Sequence, residues 1–410
     1  MTRRLLVGLI ALGAAGVWTV ATDAQQKKAD WLTDGGDPQR TAWQRNETIL
    51  TKANVKEVKL LWKIQLDNQP RQMHSLFPPL IAGNVSTAAS TKEIAIVAGV
   101  SDTIYGVDVD SGKLLWKKHF DSTFQEQTGG RGGGTLCPGG LTATPVLDQP
   151  SPGKYIAYAV SWDGRLRKLD VATGEEIEPP ALFLPPNGKP YALNLVNGVI
   201  YTTTAQGCGG NPNNFYSYDL ATKMKQKASV TIPDADFRSS PLVFQWKDKD
   251  VVAAAGKGTL YLFESTALSR GPIATAGLPG SGKFEAGALA TWVDAQNVRW
   301  LAAPSARAIV TFKVVEADGK TAIQQGWTSR DIASPLPPLV VNGVLFTVST
   351  GSKLVPSVLY AIDASSGNVL WNSGRTITTS VKGGLSAGQG NVYVPGGDGT
   401  LYAFGFAIEK

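Results

Sequence analysis

Asp234-Ala235-Asp236-Phe237-Arg238 sets two carboxylates two positions apart beside a guanidinium. Either Asp234 or Asp236 could act as a general base; an ordinary solvated turn would use the same residues. Arg131, Arg238, Lys257 and Arg330 are cations able to meet a carboxylated ligand, or to form ion pairs that hold the molecule together. Trp162 and Trp292 offer indole faces that could stack on a planar group or pack in a core. The run Gly129-Gly130-Arg131-Gly132-Gly133-Gly134 could approach a ligand with bare backbone. It lacks the Gly-Lys-Ser/Thr ending of a phosphate loop. His74 and His119 are the only histidines, so histidine-rich metal sites and a Ser-His-Asp triad have little support. Without a Cys-x-x-Cys-His motif, covalent haem is not expected on this chain.

A recurring segment supplies the elements that must position these groups. It reads Ile104-Tyr105-Gly106-Val107-Asp108-Val109-Asp110-Ser111-Gly112-Lys113-Leu114-Leu115-Trp116 and returns as Leu359 to Trp371, with degraded copies from Leu166, Phe215, Leu260, Ile309 and Leu401. An apolar-aromatic strand, an acid, a Ser-Gly or Thr-Gly turn and a second strand make a tight hairpin. Repetition at this interval predicts an all-β propeller of four-stranded blades. The last copy lacks an outer strand, and Lys59-Leu60-Leu61-Trp62-Lys63-Ile64 supplies one, closing the ring and removing both sheet edges. Seven blades are favoured. An eighth would have to lie between Trp116 and Leu166. In such a ring the residues before each inner strand and those in the second-to-third-strand turns share one face. That places His74, Arg131, Asp234, Asp236, Arg238, Lys257, Arg330 and Asp331 around one channel mouth. Asp108, Asp170, Asp219 and Asp363 are expected to be structural turn acids, as is Asp110.

Arg3-Arg4 precede an apolar run from Leu5 to Val20 that ends in Ala21-Thr22-Asp23-Ala24, the pattern of a signal peptide over residues 1–24, with 25–410 as the propeller. A membrane anchor is the rival reading, though the run is short for a span. No later segment is apolar enough to cross a membrane. The expected location is periplasmic or secreted. In an oxidising compartment Cys137 and Cys208 are expected to form one disulfide; two buried thiols are the alternative. A net charge of +6 spread over 410 residues, without basic clusters interleaved with aromatics, argues against nucleic acid as a partner.

The opening Trp31-Leu32-Thr33-Asp34-Gly35-Gly36-Asp37-Pro38-Gln39-Arg40-Thr41, followed by Asn54-Val55 and Leu61-Trp62, resembles the start of pyrroloquinoline-quinone (PQQ) alcohol dehydrogenases. The Asp-x-x-x-Gly-x-x-x-Trp repeat is also similar to that family's propeller repeat, which is shared with BamB, a non-catalytic outer-membrane assembly scaffold. The dehydrogenase resemblance implies eight blades, PQQ over the channel mouth, a Ca²⁺ or lanthanide ion and an aspartate base. It assigns Arg131-Gly132 and Lys257-Gly258 to the quinone, and Asn211 of Gly210-Asn211-Pro212 to the metal. Three parts of the pattern depart: there is no adjacent Cys-Cys pair, Pro212-Asn213-Asn214 stands where the catalytic aspartate belongs, and the blade that brings the metal-binding glutamate is missing. Asparagine is no base at neutral pH, and one amide without a carboxylate holds a hard cation poorly. The expectation is therefore a platform that binds an unidentified protein partner or small ligand at the channel mouth. A divergent PQQ-dependent dehydrogenase is the alternative.

Overall fold

The computed structural model describes residues 29–68, 75–121, 137, 140–227, 241–256, 258–279, 287–352 and 354–407. They form a β-propeller of seven sheets, six with one four-stranded blade each in chain order and one closed by the N-terminal strand. The first blade comprises Leu80–Ser86, Thr91–Gly99, Thr103–Asp108 and Leu114–His119; the second, Val146–Ser151, Lys154–Val160, Arg165–Asp170 and Ala181–Leu182. The third runs from Asn194–Val196 to Lys225–Lys227, the fourth from Leu242–Trp246 to Ala274–Gly277, and the fifth from Ala290–Val293 to Lys320–Thr328. The sixth spans Leu339–Val341 to Val369–Asn372. In the seventh, Lys59–Gln65 pairs antiparallel with Thr400–Gly405 outside Asn391–Pro395 and Ser386–Gly388. The stretch between Trp116 and Leu166 holds strands of the first and second blades and no extra sheet among the described residues, so the count is seven and not eight.

The repeat's chemistry explains each hairpin. Asp108 accepts from the Ser111 N–H and hydroxyl, and the Gly112 N–H closes the turn on the Asp108 carbonyl. Asp170, Asp219 and Asp363 likewise accept from the backbone N–H groups of Ala172, Ala221 and Ser365. The tryptophan at the end of the repeat rivets one blade to the next. The Trp62, Trp116 and Trp327 indole N–H groups donate to the carbonyls of Val109, Val171 and Ala364 in the following blade's turn. Each indole lies under that turn's glycine. A Cβ on Gly112, Gly174 or Gly367 would come within 2.5, 2.4 or 2.6 Å of it, and all three glycines have positive φ.

Residues 30–44 form a belt through the central channel that bonds to every blade in turn. Trp31 exchanges two backbone hydrogen bonds with Ile81, Leu147 N–H donates to Leu32, and Thr33 Oγ1 donates to the Leu193 carbonyl. Val243, Thr291 and Val340 N–H groups then donate to Gln39, Thr41 and Ala42, and Gln44 Nε2 donates to Ala387 O. The belt leaves beside the first-to-second-strand turns of the last two blades. There Asn342 Nδ2 donates to the Glu47 and Leu50 carbonyls, and Glu47 accepts from Gly390 N–H. The belt thus leaves at the end opposite the mouth predicted to carry the site.

Candidate functional site

The polar ligand groups read from sequence divide sharply. Arg131, Asp234, Asp236, Arg238 and Lys257, with His74 and the Gly129–Gly134 run, lie outside the described residues. Arg330 is exposed just after the fifth blade's outer strand, on the mouth side. Its neighbour Asp331 forms a forked pair with Arg307 from the same blade's second-to-third-strand turn, the Nε arm at 2.8 Å. That pair holds Asp331 below the ordinary carboxylate range through the Arg307 hydrogen bond, and gives Asp331 the ion-pairing role.

Trp292 is buried in the fifth blade, one face of its indole stacked on Trp300 at 5.9 Å with the rings nearly parallel.

Trp162 has a different setting. It sits in the second blade's second-to-third-strand turn, where its N–H donates to Asp102 and its carbonyl accepts from Asn187 N–H. The ring is buried, yet its Nε1 has no hydrogen-bond partner. Thr142 Oγ1, before that blade's inner strand, and Asn187 Oδ1, after its outer strand, are also buried and unpartnered. Three polar atoms of one blade end therefore lack hydrogen-bond partners among the described residues. Such groups cost about 1–3 kcal/mol each when unsatisfied; Tyr105, Asn194 and Ser386 carry buried polar atoms of the same kind in other blades.

The adjoining third blade completes this quarter of the mouth. Cys137 is disulfide-bonded to Cys208, with Cα atoms 5.5 Å apart, tying the connection before the second blade to the long turn of the third. Lys189 is buried with its ammonium on Gln206 Oε1. Asn211 lies in the same turn, where Nδ2 donates to the Pro186 and Cys208 carbonyls at 3.1 and 3.2 Å. The amide staples the loop. Among the described residues no group of three His, Cys, Asp or Glu side chains converges as a metal site would. Asn211 with Asn213 and Asn214 supplies amides alone, and this donor set does not fit a hard divalent or trivalent cation. Neutral donors and acceptors gather around Trp162.

Sequence reasoning missed Thr142 and Asn187, whose types and spacing carry no signal. It also missed the belt, although the belt is the very opening that carries the dehydrogenase resemblance. A separate cavity of about 290 Å³ opens at the opposite end, between the seventh and first blades, lined by Ile49, Trp62, Asp110, Gln389 and Phe406. It contains none of the predicted residues.

Comparison with known proteins places the chain. Residues 45–177 match the family described as outer membrane protein assembly factor BamB. The quinohemoprotein alcohol dehydrogenase of Comamonas testosteroni is 28% identical over 174 residues, 42% of this chain and 21% of that protein. The match thus spans about a fifth of that curated relative. The crystal structure of a quinohemoprotein alcohol dehydrogenase from the same organism superposes over 94% of this chain and 82% of its own, with a TM-score of 0.61 and 14% identity, a likeness of fold. BamB from Moraxella catarrhalis overlaps over 85% of this chain and 100% of its own, at 12% identity and a TM-score of 0.46. With its riveted hairpins, closed ring and repeats, the chain is similar to the PQQ-type β-propeller repeat proteins, the family match covering residues 45–177.

Proposed function

We propose that the protein is an exported binding platform, whose channel mouth beside Trp162 takes a small polar ligand or a segment of a partner protein without metal-assisted dehydrogenase chemistry. The observation that carries this reading is the pairing of two facts at one place. Among the described residues Trp162 Nε1, Thr142 Oγ1 and Asn187 Oδ1 are buried and unpartnered, and the adjacent loop offers Asn211, Asn213 and Asn214 where a metal-bound quinone would need carboxylates. The Cys137–Cys208 disulfide supports an oxidising compartment. With the residue 1–24 pattern it supports export to the periplasm or beyond. No helix among the described residues is long and apolar enough to cross a membrane.

The identity shared with the quinohemoprotein alcohol dehydrogenase favours a second reading, a divergent PQQ-dependent dehydrogenase. It would draw on Arg131, Lys257, Arg238 and Arg330 for the quinone, Asp234 or Asp236 as base, and Asn211 toward Ca²⁺ or a lanthanide. Calorimetric titration with PQQ, with and without Ca²⁺ or La³⁺, separates the two. The platform reading expects any PQQ heat to be indifferent to metal and no alcohol-dependent dye reduction. Binding that strengthens with metal, weakens in Lys257→Ala and is accompanied by dye reduction would establish the dehydrogenase.

A further inference from the structure

The seam between the third and fourth blades differs from the other junctions of the ring. The third blade's buried side packs on the second blade, and the fourth blade's on the fifth. Their other sides face each other, and no residue on either wall's strands is fully buried. On the third blade Tyr201 is 46% exposed and Val196 38%; across the seam Tyr261, Phe263 and Ile273 are all solvent-reached, Tyr261 stacked on Phe263. A Cβ on Gly256 or Gly277 of the fourth wall would meet nothing within 4 Å.

The belt spans the opening. Consecutive belt residues bridge its inner edge: Pro38 O accepts from Asn194 Nδ2 at 2.8 Å, and Gln39 O accepts from Val243 N–H at 2.9 Å. No tryptophan rivets the outer rim. The third blade's outer strand is Lys225-Gln226-Lys227 where the first and fifth blades carry Trp116 and Trp327; the second and fourth blades lack the tryptophan as well. Lys225 and Lys227 are exposed and make no ion pair among the described residues, and Met224 and Leu268 are exposed apolar side chains of the third and fourth blades.

An apolar-aromatic cleft with a cationic lip, on a ring that buries its other faces, has the composition of a protein-binding surface. We propose that this seam docks an extended, acidic segment of a partner protein. Its aromatic side chains would enter between Tyr201 and Tyr261, and its carboxylates would pair with Lys225 and Lys227. The site is separate from the channel mouth and does not depend on the function proposed there.

The test is fluorescence anisotropy of the full chain with a labelled peptide, Asp-Phe-Glu-Tyr-Asp-Phe-Glu, and a control in which lysine replaces each acid. The acidic peptide is expected to bind at least about tenfold tighter than the control. Tyr201→Ser with Tyr261→Ser should weaken it by about tenfold while leaving the thermal midpoint within a few degrees. Lys225→Glu with Lys227→Glu should reverse the preference toward the basic peptide. Failure of the acidic peptide to bind the intact chain would overturn the proposal. So would equal binding of both peptides, or binding unaltered by the charge reversal. Sedimentation showing a dimer that Tyr201→Ser dissociates would also overturn it, by assigning the seam to a second copy.

Discussion

At the residue scale, single side chains act through neighbours on the next blade. The Trp116 indole contributes both its area and one N–H to the Val171 carbonyl at 2.9 Å. Trp116→Phe should remove the hydrogen bond at a cost of about 1 kcal/mol. Trp116→Ala also empties the space over Gly174 and should cost about 3 kcal/mol; urea unfolding of the pair measures the difference. Asp108 illustrates the turn acids. Burial alone would raise its pKa, but the Lys92 ion pair and the Ser111 hydrogen bonds overrule that and hold it below 3.8. A depressed folded value stabilises the native state above the unfolded pKa, and that contribution is lost as pH falls through the folded one. The stability gap between wild type and Asp108→Asn should therefore be constant from neutral pH to about pH 5 and shrink steadily below pH 4. A gap that grows on acidification would contradict the assignment.

At the scale of elements, the belt is the piece whose role no local signal announces. Arg40 is buried at the third blade's inner strand, where it donates to the Ala192 and Leu193 carbonyls and pairs with the more exposed Asp34 at 3.2 Å. Its φ of 56° and that of Ala42 at 51° show a backbone bent to keep these contacts. Arg40→Ala strands two carbonyls and should destabilise the fold by about 3 kcal/mol, whereas Asp34→Asn should cost under about 1 kcal/mol because that acid faces solvent. If the two variants proved equal in denaturant unfolding, the belt would be an ornament and not a tie. The hairpins, by contrast, are legible from sequence: Asp-Ser-Gly turns, alternating strands and terminal tryptophans predicted each blade near its observed limits, because every one of those signals is local.

At the scale of the whole molecule, closure is shared among the N-terminal outer strand, the belt and the disulfide. Cys137 and Cys208 are 71 residues apart in sequence, so cross-linking them removes much unfolded-state freedom, about 4 kcal/mol in the chain-entropy description. The double variant Cys137→Ser with Cys208→Ser should lower the thermal midpoint by several degrees, and reductant should lower that of the wild type alike. An unchanged midpoint in both would mean that the bridge merely joins loops already fixed by packing.

By itself the sequence determined the repeat, the hairpin chemistry, the ring-closing strand and the pairing of the two cysteines, because strand alternation, turn residues and a missing final strand are written in neighbouring positions. It also named Trp162 as a residue to watch. Only the tertiary structure decided that Trp292 is spent on Trp300, that Trp162 keeps two unpartnered neighbours in Thr142 and Asn187, and that Asn211 is a loop staple. It alone showed the opening motif as a belt touching all seven blades and one seam as open. Those are matters of which distant groups satisfy one another's hydrogen bonds and cover one another's apolar faces. Such satisfaction is set by closure of the ring, which brings together residues that no spacing along the chain connects.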